Sequence, residues 1–349
     1  MRKAVSTALA SVLALGVAGM SGSALAQDVA GVYKDHTVTI LVGYGAGGTY
    51  GRTSLLLSEH LGKYVPGNPS VVVQHMPGAG GLKAANYFYN VAPKHGHNLL
   101  MPPEMTIASE LLRPKKVKYK SKDFTWLGRV FGLNSTLVVR RDSGVTKVED
   151  LKNRSIVVSS SGKGSPTYLV PAALNALFGA KLKIVTGYSG SRKAQLAVEQ
   201  REVDGLSVGW TVWISAKPDW FKGGDKSYAL PLVQNGFKPR KEIAHVPMLR
   251  SLIKDKKDLA VANILASASL IGRGLVLPPG APTELVEPLR SAFDKTVADA
   301  KFVEGAKRRG LQVDPSTGAD VQQIVDELMA TPMDQVKRAR KIIFGDVKS

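Results

Sequence analysis

Four times this chain passes from a short β-branched strand, through a loop of glycine or small hydroxyl residues, into a helix, and few folds accommodate that. The first unit is Thr37-Val38-Thr39-Ile40-Leu41-Val42, the loop Gly43-Tyr44-Gly45-Ala46-Gly47-Gly48-Thr49-Tyr50-Gly51, and a helix from near Arg52 that carries Leu55, Leu56 and Leu57. The second is Ser70-Val71-Val72-Val73-Gln74, then Met76-Pro77-Gly78-Ala79-Gly80-Gly81, then a helix with Leu82, Ala85, Phe88 and Tyr89 at helical spacing. The third runs from Ser155-Ile156-Val157-Val158 through residues 159–167 into a helix over 168–178, closed by Gly179. The fourth runs from Lys183-Ile184-Val185-Thr186 through Gly187-Tyr188-Ser189-Gly190-Ser191 into a helix over 193–200, with a further strand from Val203. A third strand of the first set is expected at Asn98-Leu99-Leu100-Met101. Strand and helix in alternation imply α/β architecture with mainly parallel sheets.

Two apolar strands, around residues 137–139 and 275–277, flank the second pair of units. They are the places where the chain passes from one lobe to another and returns. Near the end, Thr283 is expected to cap a helix over 284–300, and another helix is expected over 318–329.

The N-terminus has the form of a secretory signal. Arg2 and Lys3 supply the charge, residues 8–20 a short apolar stretch, and Ala24-Leu25-Ala26 a small-residue cleavage site. The apolar stretch is too short for a comfortable membrane span. Cleavage after Ala26 leaves a mature chain from Gln27, long enough for two ordinary domains, and places it outside the cytoplasm. The chain has no cysteine. Disulfides, thiolate metal sites, a cysteine nucleophile and a lipid-modified cysteine are therefore excluded, and stability rests on the core.

The formal charge of +19, or +17 without Arg2 and Lys3, is spread along the chain and makes no footprint. Two local runs, residues 113–122 and 337–341, lack the interleaved aromatics of a nucleic-acid surface and read as solvated. No nucleic-acid partner is expected.

Several motifs suggest chemistry and fall short. Gly43-x-Gly45-x-x-Gly48 fits the dinucleotide fingerprint, but the second strand ends in Gln74-His75, with no acid to hold a ribose. Ser161-Gly162-Lys163-Gly164-Ser165 lacks the phosphate-loop spacing. Gly187-Tyr188-Ser189-Gly190-Ser191 has serine where a nucleophile elbow closes on glycine, so an exported hydrolase is a weak alternative. His95-Gly96-His97 has no nearby carboxylate and reads as loop surface rather than metal site. Of Trp210, Trp213 and Trp220, at least two suit core or interface packing better than a pocket. What remains is the loop itself. Free backbone N–H groups at a positive helix end suit a small anion. No catalytic residue, metal or cofactor is expected.

Four segments together resemble a known family: residues 43–57; residues 74–81 with Asn86 and Val91-Ala92-Pro93; residues 160–167; and residues 187–205. Gly274-Leu275-Val276-Leu277-Pro278-Pro279-Gly280-Ala281-Pro282 adds a fifth. They are similar to the periplasmic substrate-binding proteins of tripartite tricarboxylate transporters, the Bug receptors, over nearly the whole mature chain. The resemblance implies a monomeric type II "Venus flytrap", each lobe a mixed sheet flanked by helices. Lobe 1 would comprise residues 27–133 and 272–349, and lobe 2 residues 134–271, hinged near 133–137 and 269–274. It implies a periplasmic receptor that captures a small carboxylate for membrane transporter subunits, or a sensor that signals through a membrane partner. The ligand would lie between Tyr44, Gly45, Ala46, Gly47, Gly48, Thr49 and Tyr50 on one side and Ser160, Ser161, Gly162, Gly164, Ser165 and Thr167 on the other. Gly78, Ala79, Gly190, Ser191 and Asp204 would complete the site. Such receptors often hold the carboxylate without an arginine clamp. One departure stands out: Gly51 occupies the place of a common family Asp, and the basic Arg52 beside it favours a second ligand carboxylate.

Overall fold

The computed structural model describes residues 29–345, so the expected signal and its cleavage site lie outside the described residues. Among the described residues, eleven strands form two sheets. The first contains β1 (Thr37–Val42), β2 (Ser70–His75), β3 (Asn98–Met101), β4 (Thr125–Phe131), β10 (Arg273–Leu277) and β11 (Ser316–Thr317), in the order β11-β4-β10-β3-β1-β2. The second contains β5 (Ser135–Arg140), β6 (Ser155–Ser160), β7 (Lys181–Thr186), β8 (Gly205–Gly209) and β9 (Ala229–Asn235), in the order β7-β6-β8-β5-β9. The sheets share one plan. β1 lies parallel between β2 and β3, and β6 lies parallel between β7 and β8; β10 and β5 then join antiparallel. The fold is two-lobed α/β, and both sheets are mixed.

The period-2 alternation of the strands divides the core. Val38, Ile40 and Val42 of β1 pack with Leu56, Leu57, Phe293 and Phe302 on one face of the first sheet. Leu41, on the other face, joins a cluster that continues through Leu100 and Val276 to Leu137, Val139 and Val158 of the second sheet. The C-terminal helix Met333–Phe344 closes this shared core against helices Thr106–Leu112, Pro166–Ala173 and Leu259–Ala266. Val138, Leu206 and Val208 face the other way and pack with Trp210 and Trp213, both buried as core residues.

The two basic runs, distant in sequence, meet along a groove of about 600 Å³. There Arg340 Nε donates to the Leu111 carbonyl at 2.6 Å, so this part of the run is anchored to the fold as well as solvated.

Helix 284–300 differs from expectation. Thr283 makes no capping bond; Thr283–Leu285 is a 3₁₀ turn whose Leu285 N–H reaches the Pro282 carbonyl, and the α-helix spans Val286–Ala298. The tighter turn satisfies an amide that the hydroxyl was expected to serve. At the other end, the Asp299 side chain accepts from Lys301 N–H and starts a separate helix, Ala300–Arg308.

Candidate functional site

In open α/β sheets, ligands gather beyond the carboxyl ends of parallel strands. Here β1, β6 and β7 each end in a loop that opens a helix: Thr49–His60, Pro166–Ala173 and Ser191–Glu199. The residues before these helices are Gly48, Ser165 and Gly190, and none supplies a side-chain cap. The first amides of each helix have no intrahelical acceptor, and the helix dipole adds positive potential there. By contrast, helix Gly318–Met329, away from these loops, is closed by a capping box between Thr317 and Asp320.

The loops converge from the two lobes. Gly45 N–H donates to the Ser189 carbonyl at 3.2 Å, and Ser109 Oγ donates to the Gly164 carbonyl at 3.3 Å. Contact is so close that a side chain on either loop glycine would force a neighbour to shift. A Cβ on Gly164 would lie 2.8 Å from the Ala79 carbonyl oxygen and 2.9 Å from Leu82 Cγ, and a Cβ on Gly48 would lie 2.6 Å from Ser191 Oγ. At Gly51 a Cβ would fall 1.9 Å from the Ala46 carbonyl oxygen. The loop backbone therefore occupies the space that any side chain at position 51 would need.

Between the loops lies a cavity of about 20 Å³, room for one or two water-sized groups. Tyr44, Gly45, Gly48, Tyr50, Ser161, Ser165, Thr167 and Ser191, all expected from the sequence, line it. Thr49 is buried beside it, its Oγ1 3.3 Å from Arg273 Nη2. Ala46 and Gly47 belong to the same loop; Gly47 lies against Arg192. Ala79 meets Gly162 and Gly164 across the cleft, and Gly78 precedes it at the contact. Gly190 caps helix Ser191–Glu199 beside Gly45.

The serine-rich loop is internally bonded. Thr167 Oγ1 accepts from Ser161 N–H at 3.0 Å, Ser160 Oγ accepts from Gly162 N–H at 3.1 Å, and Ser165 bonds both Ser161 and Thr167 through hydroxyls. Two of the loop amides expected to face a ligand are thus already satisfied, and the loop presents hydroxyls instead. Asp204 lies elsewhere. It precedes β8, whereas Val208 near that strand's other end lines the cavity; its carboxylate takes the Val157 N–H at 2.8 Å and pairs with Arg140 at 3.3 Å.

Two charged residues of the cavity escaped the sequence reading. Arg273, which opens β10, donates through Nη1 to Glu104 Oε2 at 2.9 Å, and both side chains are about 98 % buried, at 2 % and 3 % exposure. The guanidinium carbon stands 3.5 Å from the centre of the Tyr50 ring, whose rings-apart distance to Tyr44 is 4.2 Å, nearly parallel. Tyr50 Oη accepts from Glu104 N–H at 2.6 Å, and Tyr44 Oη donates to the Gly80 carbonyl at 2.8 Å. Burial pushes both phenols well above the usual tyrosine range, so they stay protonated and neutral. Burial disfavours the Arg273 charge, but Tyr50 and Glu104 outweigh it and raise its pKa. The floor of the cleft is an arginine already neutralised by its own glutamate. The signal for this pair was a charged residue inside each of two otherwise apolar segments, Pro102-Pro103-Glu104-Met105 and Arg273-Gly274-Leu275, since buried charges require partners.

Residues 57–344 match the family model described as "Tripartite tricarboxylate transporter family receptor". The match starts beyond the first glycine loop, so the geometry of that loop is an observation independent of it. The chain is 24 % identical over 294 residues to the "UPF0065 protein in gbd 5′region" of Cupriavidus necator, covering 82 % of this chain and 81 % of the relative. Among solved structures, periplasmic binding protein BugD is similar at TM-score 0.68 and 20 % identity, over 88 % of this chain and 98 % of that one. MatC from Rhodopseudomonas palustris, with bound malate, is similar at TM-score 0.66 and 20 % identity, again over 88 % and 98 %. At these identities the structural likeness bears on the fold.

Proposed function

This chain belongs to the tripartite tricarboxylate transporter receptor family, and on that premise we propose that it captures a small carboxylate in the periplasm and delivers it to the membrane subunits of such a transporter, without catalysing a reaction. The observation that carries this reading is the meeting of three helix N-termini without side-chain caps across one narrow cleft. The malate in the MatC structure supports the ligand class.

In this reading residues 1–26 are an export signal removed after Ala26, and the mature chain works as a monomer. Residues 27–133 with 272–349 form one lobe and residues 134–271 the other, hinged near 133–137 and 269–274. The loops 44–50, 78–79, 160–167 and 190–191 hold the ligand, and closing the lobes over it removes it from water.

The test is a thermal-shift screen of residues 27–349 against mono-, di- and tricarboxylates, with neutral and cationic solutes of similar size alongside. A ligand that prefers the native state stabilises it by about 2.7 kcal/mol at a hundredfold excess over Kd. That corresponds to a rise of roughly 4 °C. A panel in which only neutral or cationic solutes raise the midpoint overturns the proposal.

A further inference from the structure

Beside the cleft lies a second cavity, of about 220 Å³, which shares Gly48 and Ser191 with the first. Its charged lining residues are Arg52 and Arg192, and no acidic residue lines it. Arg52 stands on the helix that follows β1, Arg192 on the helix that follows β7, so one arginine comes from each lobe. Arg52 Nη2 donates to Ser215 Oγ at 2.7 Å and Nη1 to the Arg309 carbonyl at 3.0 Å; its Nε is buried without an acceptor. Among the described residues, neither arginine has a carboxylate within ion-pair distance.

Two like charges held on opposite sides of a closing cleft are an unfavourable arrangement for the protein by itself. Burial, and then the facing Arg192 charge, lower the pKa of Arg52, although an arginine stays protonated at any working pH. The floor cannot supply the missing counter-charge, because Glu104 is engaged by Arg273. The two cavities together therefore carry a net excess of two positive charges: those of Arg52 and Arg192.

We propose that Arg52 and Arg192 form a second anion subsite, bridging the lobes, that receives the far carboxylate of a dicarboxylate whose near carboxylate lies on the floor among Ser161, Thr167 and the helix N-termini. This rests on the carboxylate-receptor reading and narrows it to dianions. A carboxylate between the guanidinium groups accepts from both lobes at once, so it replaces repulsion across the cleft with two charge-assisted contacts. Capture of a dianion and closure of the lobes become one event. A monocarboxylate fills the floor and leaves the two arginines facing each other.

The experiment is calorimetry with the mature protein, using succinate, glutarate and adipate and the mono-amide of each. Wild type should bind the best diacid at least about 30-fold more tightly than its mono-amide. In Arg52→Gln with Arg192→Gln the diacid should lose about 30-fold or more, and the mono-amide less than about 3-fold, so the ratio collapses. Thermal unfolding without ligand verifies that the variant is folded, and the single variants Arg52→Lys and Arg192→Lys, which keep charge, should retain most of the preference. Equal preference in wild type and the double variant, or a wild-type preference for the mono-amide, overturns the subsite and leaves the carboxylate reading standing. Binding of none of the six compounds, with a non-carboxylate raising the melting point instead, overturns both.

Discussion

Gly164→Val is expected to weaken carboxylate binding by about 100-fold while leaving the ligand-free protein stable. Gly164 does not need its conformational freedom; its φ lies outside the left-handed region, so valine brings no backbone strain. What valine meets is the other lobe. Its Cβ would stand 2.8 Å from the Ala79 carbonyl oxygen and 2.9 Å from Leu82 Cγ, and a backbone oxygen cannot rotate away. The overlap is present in this structure, where the lobes touch, and opening of the lobes about the proposed hinges would relieve it. Overpacking of this kind costs roughly 3 kcal/mol, and charging that to the closed state weakens binding by about 100-fold. The melting point without ligand should move by no more than about 2 °C, because an opened cleft leaves the valine clear of Ala79. Calorimetry and thermal unfolding on the same preparation check both halves; full affinity in the variant would mean that the glycine contact plays no part in closure.

Arg273→Met should have the largest effect on stability. It leaves the Glu104 carboxylate buried and unpaired, at 3 % exposure, and also removes the cation from the face of Tyr50. Breaking a buried ion pair from one side costs about 3–5 kcal/mol. For a chain of this size the midpoint should fall by roughly 4–7 °C. Replacing both members is a different matter, since a buried pair exchanged for neutral residues of similar size is often near neutral. Arg273→Met with Glu104→Gln should therefore recover most of the loss. If the double variant is as unstable as the single one, the pair is not the source of the cost.

Much of the fold was legible because the local signals were strong. β1 falls where a β-branched run places it, β10 where an apolar run does, and helix Gly318–Met329 covers the residues expected of it. Other elements were hidden for physical reasons. Strand β9 contains Pro231, which argues against a strand, but β9 is an edge strand and its register with β5 shifts between Leu137 and Val138, beside that proline. Helix Leu259–Ala266 is apolar on almost every side, so it has little periodicity to read. Of the site, the glycine and serine loops were visible as motifs because their function depends on small residues at consecutive positions. The Arg273–Glu104 pair was not, because its members are 169 residues apart and meet only through the β3–β10 pairing. Arg192 was hidden likewise: it gains meaning only opposite Arg52.

One small carboxylate ligand is expected to be clasped between loops of both lobes at three helix N-termini. A crystal structure of the mature protein with the diacid that most raises its melting point tests this directly. One carboxylate should lie within hydrogen-bond distance of Ser161 or Thr167 and of the amides that begin helix Thr49–His60, and the other between Arg52 and Arg192. Ligand density on an outer face of either lobe, with the cleft between Tyr44 and Thr167 unchanged, would contradict it.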